Sequence, residues 1–315
     1  MESSDLVFSP LRISTLVTTG HLGTTINLGS LFNQIRKQFI PIGYPDEGFL
    51  KMEHETNVVG FSARDILTKR RVSDKTFFNQ STIVIRKLRE VGGEFKEVNV
   101  KLFANGGFQM TGVTTEEFSR DVINWMIVRV NALPEPVTTV PLELKKFAVQ
   151  LLNSDYKMNA FAKRAELHKI LCEQYHLSST LETTIYQGVN TKYYYNEASS
   201  GNSGLPQGQS FVEGNSNTIT RNGIAISGND KVISANDKAI SGAKKGICHC
   251  PKFCSGQGDG STIGTCKKIT IAVFQTGSII ITGARTRKQL DEAYEYMNDI
   301  MRVHSKEVTR PLPTA

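Results

Sequence analysis

Four of the five cysteines crowd into one short stretch, Cys248, Cys250, Cys254 and Cys266, while Cys172 stands alone. Four thiolates could bind Zn2+ tetrahedrally, and His249 could replace one of them. The C-x-C-x3-C-x11-C spacing departs from paired C-x2-C knuckles, so the same residues also read as unliganded or redox-linked cysteines. Crowding of this kind fits metal binding in a reducing compartment better than the stapling of a secreted scaffold. A bound zinc is expected to be structural, pinning the base of a long loop beside Phe274. The six histidines, His21, His54, His168, His176, His249 and His304, form no nucleophile, metal-protease or phosphate-loop pattern, so no catalysis is expected.

The elements around these residues form an imperfect internal repeat, and repeats decide a fold. VKLFANGGFQMTG at 100–112 matches IAVFQTGSIIITG at 271–283. Each has an apolar strand ending in Phe (Phe103, Phe274), a tight turn with Gly (Gly106, Gly277), and a second strand closing on Thr-Gly (Thr111-Gly112, Thr282-Gly283). The Phe-to-Gly spacing is nine residues in both, and the pattern predicts a β-hairpin. A helix is expected after each hairpin. The first covers 114–130, capped by Thr114 or Thr115 with Glu116 and Glu117 in its first turn. The second covers 287–304, with Leu290, Ala293, Tyr294, Met297 and Met301 as its apolar stripe.

Upstream, each half opens with a strand and a helix. The strand at 11–18 precedes a helix near 28–39, for which Asn27 is a plausible cap; the strand at 146–152 precedes a helix near 158–175. Three prolines in 132–144 mark a linker. The expected organisation is therefore a first repeat at 1–131, a linker at 132–144, a second repeat at 145–195 and 267–305 split by an insertion at 196–266, and a tail at 306–315. ISGNDK, ISANDK and ISGAKK recur every seven residues in the Gly/Ser/Asn-rich insertion, a composition that cannot support a packed core. The fold class expected is α+β, two pseudo-symmetric halves joining antiparallel strands into a curved sheet with helices on one face. The other face must then be occupied by something else.

The chain has 315 residues, 39% of them hydrophobic, and a formal net charge of +7, which weakly favours a polyanionic partner. The N-terminus lacks a basic start and an unbroken apolar stretch, so no secretory signal is expected. No window holds eighteen apolar residues, so no membrane span is expected.

The doubled hairpin and helix resemble the TATA-binding protein family. The closing Thr282-Gly283-Ala284-Arg285 is close to the family's strand ending, and Thr111-Gly112-Val113-Thr114 is a looser copy. The resemblance covers both halves but not 196–247. It implies a saddle whose concave sheet lies on a widened minor groove, with aromatic side chains wedged between base steps and apolar, Thr and Asn residues on the floor. A·T pairs offer only acceptors in that groove, so an apolar, nearly uncharged floor tolerates them and penalises the guanine amino group.

Carried over by position, Phe103 and Phe274 match one wedge of each pair. Tyr186 in TIYQGVNTKYYY matches the second-half partner, with Gln187 where the family has Pro and Gly188 kept. Strict alignment puts Gln80 or Ser81 at the first-half partner; Phe78, two or three residues earlier, is the residue chosen. The floor positions match Ile13, Thr15, Gln109 and Thr111 in one half, and Val149, Ile280 and Thr282 in the other. Leu11 and Phe147 fall near the places of the family's paired Asn, which puts ordinary TATA-element specificity in doubt. Arg86, Lys192 and Arg285 are the candidate phosphate contacts. The resemblance further implies double-stranded DNA, a factor-IIB-like protein and an RNA polymerase as partners, with no small-molecule substrate. It places the chain in a nucleus or viral replication compartment. In the family an acidic segment docks factor IIB; here 179–184 keeps only Glu182 as an acid. The drifted motifs and low-complexity insertion point to a virus or a protist. The altered wedges and missing Asn pair motivate the alternative, a saddle-fold interaction factor that has lost specific DNA binding.

Overall fold

A computed structural model of the chain describes residues 6–67, 79–90, 93–184, 187–197, 219–221, 224–226, 245–248 and 250–312. The chain divides into two compact units. One comprises Phe8–Lys157 and Ile280–Tyr294, and the other comprises Met1–Val7, Met158–Ile279 and Glu295–Ala315.

The first unit is an antiparallel sheet with helices. Its elements are β1 (Arg12–His21), α1 (Leu28–Ile35), β2 (Gly48–His54), β3 (Asn57–Gly60), α2 (Ala63–Leu67), β4 (Gln80–Leu88), β5 (Phe95–Phe103), β6 (Gly107–Val113), α3 (Glu116–Asn131) and β7 (Lys146–Lys157). The strands run in the order β3-β2-β4-β5-β6-β1-β7. Alternation sets the two faces. Val98, Val100 and Leu102 of β5 and Phe108 and Met110 of β6 are buried toward the helices, and the residues between them face the other way. Asn27 caps α1 by accepting from the Ser30 amide at 3.0 Å, and Leu28, Leu31, Phe32 and Ile35 form its buried stripe. Thr115, rather than Thr114, caps α3, accepting from the Phe118 amide at 3.1 Å. α3 buries Phe118, Val122, Met126 and Val130, each such side chain contributing about 1.5–3 kcal/mol when taken fully out of water. The hydroxyls of Thr18 (β1) and Ser119 (α3) lie 2.7 Å apart and satisfy each other where both are buried.

The β1–β7 pair carries a local two-fold. Leu16 faces Leu152; on either side Thr15 faces Asn153 and Val17 faces Leu151. Register then slips once in each strand, past Ser14 and past Gln150, to pair Ile13 with Ser154 and Thr18 with Val149. Exchanging the two strands maps the Leu16–Leu152 pair onto itself, each flanking pair onto another, and the two bulges onto each other.

The second unit contains β8 (Ala160–Ala162), α4 (Arg164–Glu173), β9 (Ser178–Leu181), β10 (Gly188–Tyr195), a short hairpin β11 (Ile219–Arg221) with β12 (Ile224–Ile226), and β13 (Lys267–Phe274). β14 (Ser278–Ala284) and α5 (Arg287–Val303) each contribute residues to both units. α6 (Ser305–Val308) and β15 (Thr309–Pro311) follow. β13, β10 and β9 pair antiparallel, and α4 packs on β9 and β10. Tyr193 and Tyr195 of β10 are buried, Tyr193 against Tyr296 of α5.

Both halves repeat the turn after the strand-end Phe. The Gly106 amide donates to Phe103 O at 2.9 Å and the Gly277 amide to Phe274 O at 3.0 Å. Gly106 O accepts from Leu22 N, just after β1, and Gly277 O accepts from Met158 N, just after β7. Both glycines take positive φ, +87° and +81°. A Cβ would lie 2.0 Å from Thr24 O at Gly106 and 2.3 Å from Ala160 O at Gly277, so both the turn and the contact exclude a side chain.

Several stretches differ from the sequence reading: α1 ends at Ile35 and not near 39. The expected helix at 158–175 is shorter, because Ala160–Ala162 is a strand paired with Thr309–Pro311. The stretch expected as a tail supplies that partner. β7 runs to Lys157, five residues beyond the end expected, because the bulge at Gln150 interrupts its alternation. No helix among the described residues is long and apolar enough to cross a membrane.

Candidate nucleic-acid interface

The side chains pointing away from the helices form the candidate interface, and each unit presents its own set. In the first unit, Gln109 and Thr111 alternate with buried Phe108 and Met110 on β6. They lie opposite Lys101 and Asn99 of β5. Thr15, Val17, Leu151 and Asn153 occupy the middle of the β1–β7 pair. Ile280 and Thr282 alternate with fully buried Ile279 and Ile281 on β14. The Thr282 hydroxyl donates to Asn153 Oδ1, and the Ser154 hydroxyl to Ile281 O at 3.1 Å. The set is hydroxyl, amide and aliphatic, and none of these central residues carries a formal charge.

Ile13 and Val149 take a different place from the one expected. Simple alternation puts both on the open face. The bulges at Ser14 and Gln150 reverse the parity, since one extra residue sends the following side chains to the opposite face. Ile13 therefore pairs with buried Ser154, and Val149 with buried Thr18, whose hydroxyl meets α3. Phe147 lies on the helix side as well, with the Arg120 guanidinium 4.0 Å above its ring. The residues that take the open central places are Val17, Leu151 and Asn153. Asn153 lay one residue past the predicted end of its strand, so the sequence reading missed it.

Phe103 ends β5 half-buried, with Gln80 of β4 as its register partner. Phe274 ends β13 half-buried, with Gly188 of β10 as its partner. A Cβ at Gly188 would stand 3.3 Å from the Phe274 ring, so this glycine gives the ring its seat. The two other proposed wedges, Phe78 and Tyr186, lie outside the described residues.

In the second unit the open positions of β10 are Asn190, Lys192 and Tyr194, opposite Ala272, Thr270 and Lys268 of β13. Lys192 Nζ donates to Thr270 Oγ1 at 2.9 Å. Burial, and then the neighbouring Lys268 cation, pull the Lys192 ammonium below the usual lysine range. Arg86 of β4 stacks 4.1 Å over the Phe95 ring, and its Nε is buried without a hydrogen-bond partner among the described residues. Arg285 follows β14, and its Nε is likewise buried and unpartnered among the described residues.

The distribution of ion pairs separates the surfaces. Lys87 pairs with Glu47 and Asp121, Arg120 with Glu116, Arg287 with Asp291, and Arg302 with Asp299. Arg86, Lys101, Lys192, Lys268 and Arg285 make no ion pair among the described residues. The sequence reading missed Lys101 and Lys268, which only the register places on the open side. A short segment covers part of that side in the first unit: the Ala63 amide, at the start of α2, donates to both Glu97 carboxylate oxygens at 3.0 Å. Phe61, Ile66 and Leu67 are exposed there.

The four cysteines meet as expected, and their sulfurs all lie within 4.8 Å of one another, close enough to hold a metal ion. His249 lies outside the described residues. The cluster is not beside Phe274. It adjoins Lys267, the opposite end of the eight-residue strand β13, roughly 23 Å away at about 3.3 Å per residue. Most of the heptad-spaced insertion also lies outside the described residues.

A family model described as transcription factor TFIID (or TATA-binding protein, TBP) matches residues 264–304, the span of β13, the Gly277 turn, β14 and α5. A TATA-box-binding protein-like protein of Acanthamoeba polyphaga mimivirus is 26% identical over 95% of this chain and 66% of its own length. The chain thus spans 66% of the length of that curated relative. A solved Methanococcus jannaschii TBP aligns with 93% of this chain and 98% of its own, at 10% identity and a TM-score of 0.44. The matched hairpin, glycine turn and following helix are present a second time from Phe103 through α3, and the chain is similar to TATA-binding-protein-like proteins in both copies.

Proposed function

We propose that the chain is a non-catalytic transcription initiation factor that binds A/T-rich duplex DNA through the minor groove and bends it. The carrying observation is the repeated strand-end aromatic beside an open face whose central residues carry no formal charge. Phe103 and Phe274 close equivalent strands, each across from the first residue of the neighbouring strand. In sequence, an aromatic stands two residues ahead of each of those partners: Phe78 before Gln80, and Tyr186 before Gly188. Two aromatics per half is the composition a wedge pair requires. Inserting them unstacks a base step at a cost of a few kcal/mol, which the added contact with bent DNA offsets. The floor residues Thr111, Thr282, Val17, Leu151 and Asn153 suit the A·T edge, and Lys192, Lys268, Lys101, Arg86 and Arg285, which make no ion pair among the described residues, suit phosphate oxygens.

A factor-IIB-like protein and an RNA polymerase are the protein partners of this reading, in a nucleus or a viral replication compartment. Glu182, the one acid in the stretch matching the family's docking segment, holds its carboxylate on the amides of Thr183 and Thr184, both at 2.9 Å.

Methylation interference tests the groove assignment. Methyl groups on adenine N3 line the minor groove, and those on guanine N7 line the major groove. Adenine methylation is expected to block binding, with guanine methylation at the same site tolerated. Blocking only by guanine N7 methylation would refute a minor-groove mode.

The second reading, an interaction factor without DNA specificity, is favoured by α2. It rests on Glu97, on the same side of β5 as Phe103, and exposes Phe61, Ile66 and Leu67. Equal affinity for A/T-rich and G/C-rich duplexes would support it.

A further inference from the structure

We propose that Cys248, Cys250, Cys254 and Cys266 bind one Zn2+ as four thiolates, and that this metal closes the β10–β13 turn. The inference stands apart from DNA binding. A tetrahedral zinc with Zn–S bonds of about 2.3 Å requires sulfur-to-sulfur separations of about 3.8 Å. Here Cys250 and Cys266 sulfurs are 3.4 Å apart, those of Cys266 and Cys248 are 3.7 Å apart, and no pair exceeds 4.8 Å. These separations are too long for disulfide bonds and suit the edges of a tetrahedron.

The backbone around the sulfurs is fixed independently of them. Gly246 O accepts from Tyr194 N at 2.8 Å, Gly256 O from Lys268 N at 2.8 Å, and Gly260 O from Glu197 N at 2.7 Å. The loop is thereby docked on the ends of both strands. Two donors point at the sulfurs: Gly264 N to Cys250 Sγ at 3.0 Å, and Asn196 Nδ2 to Cys266 Sγ at 3.4 Å. Such donors stabilise and orient metal-bound thiolates. Lys245, Lys252, Lys267 and Lys268 flank the ligands in sequence, a local excess of positive charge beside a site that carries net negative charge once loaded.

The first unit shows what the metal replaces. There β4 and β5 are joined by a short turn in which Arg89 N donates to Glu94 O at 3.2 Å. In the second unit the equivalent strand ends, Tyr195 and Lys267, are register partners with the whole 196–266 insertion between them. Closing so long a connection costs more chain entropy than closing a short turn, and a metal clip next to the strand ends offsets that cost. Cys266 is at the mouth of β13 and the other three ligands lie on the loop, so one ion ties the loop to the start of β13, while the Gly246 and Gly260 carbonyls hold the same loop on the end of β10.

The test uses the full chain, purified reduced and free of oxygen, with Zn2+ and Co2+ as probes. One metal per chain is expected. The cobalt form should show thiolate charge-transfer absorption and the intense visible bands of a tetrahedral site. Single Ser substitutions at Cys248, Cys250 or Cys254 should each weaken zinc binding at least tenfold, while Cys172→Ser leaves it unchanged. Stripping zinc with a chelator should accelerate hydrogen exchange at the Tyr194 and Lys268 amides and leave β5 unaffected. No uptake of either metal by the wild-type chain, or equal uptake by a chain with all four cysteines changed to Ser, would overturn the site. Unchanged exchange at Tyr194 and Lys268 on removing the metal would overturn its role in closing the turn.

Discussion

Phe103→Ala and Phe274→Ala should each lower affinity for an A/T-rich duplex by about ten- to a hundredfold, the equivalent of roughly 1–3 kcal/mol of lost base–aromatic contact. Both side chains end a strand, and neither is fully buried. Truncation should therefore leave the fold near its original stability, in contrast to the fully buried Phe108, whose removal would empty a core site. Thermal unfolding of both variants separates the two effects. The losses should be far smaller on non-specific DNA, where no step is unstacked and phosphate contacts dominate. Loss of affinity equal on every duplex, or none at all, would place both rings outside the DNA contact.

Reversing two charges in the second unit should be nearly as damaging. Lys192→Glu with Lys268→Glu puts two carboxylates where two cations now lie opposite Tyr194 and Thr270 on adjoining strands. Each cation that neutralises a phosphate contributes about one unit to the slope of log affinity against log salt. The double variant should bind at least about tenfold more weakly at low salt, with a slope shallower by about two. Lys192 adds a pH signature. Its ammonium is already destabilised by burial and by Lys268, so it loses its charge at lower pH than an ordinary lysine. Bound phosphate favours the charged form, so affinity should begin to fall with rising pH before the usual lysine range and should do so less in Lys192→Arg. A salt slope identical to wild type would remove both lysines from the phosphate contacts.

The parts legible in the sequence were those with uninterrupted periodicity. The two hairpins follow from strict alternation on either side of a turn glycine, and the long helices from apolar stripes and capping threonines. The four-cysteine grouping was readable from composition and crowding alone. What alternation cannot show is its own failure. Ser14 and Gln150 carry no marker of a bulge, yet each reverses the face of the residues beyond it, and Val17, Leu151 and Asn153, not Ile13 and Val149, stand beside Thr15 on the central floor. Non-local pairing was equally hidden. Ala160–Ala162 reads as the start of a helix until Thr309–Pro311 arrives as its strand partner. α2 is one short helix held by contacts distant in sequence, Asp65 to Lys51 at 2.6 Å and the Ala63 amide to Glu97. The distance between the cysteine cluster and Phe274 is hidden for a simpler reason: proximity in sequence is not proximity in space, and an extended strand separates its ends farther than any other element of equal length.

A duplex carrying one dye at each end measures the central claim most directly. On adding wild-type chain to an A/T-rich duplex, energy transfer between the dyes should rise sharply, because wedged aromatics kink the axis and bring the ends together. A G/C-rich duplex of equal length should change little, since the guanine amino group obstructs the floor and its steps resist opening. Saturable binding with no change in transfer on either duplex would contradict minor-groove bending and leave the protein-interaction reading in its place.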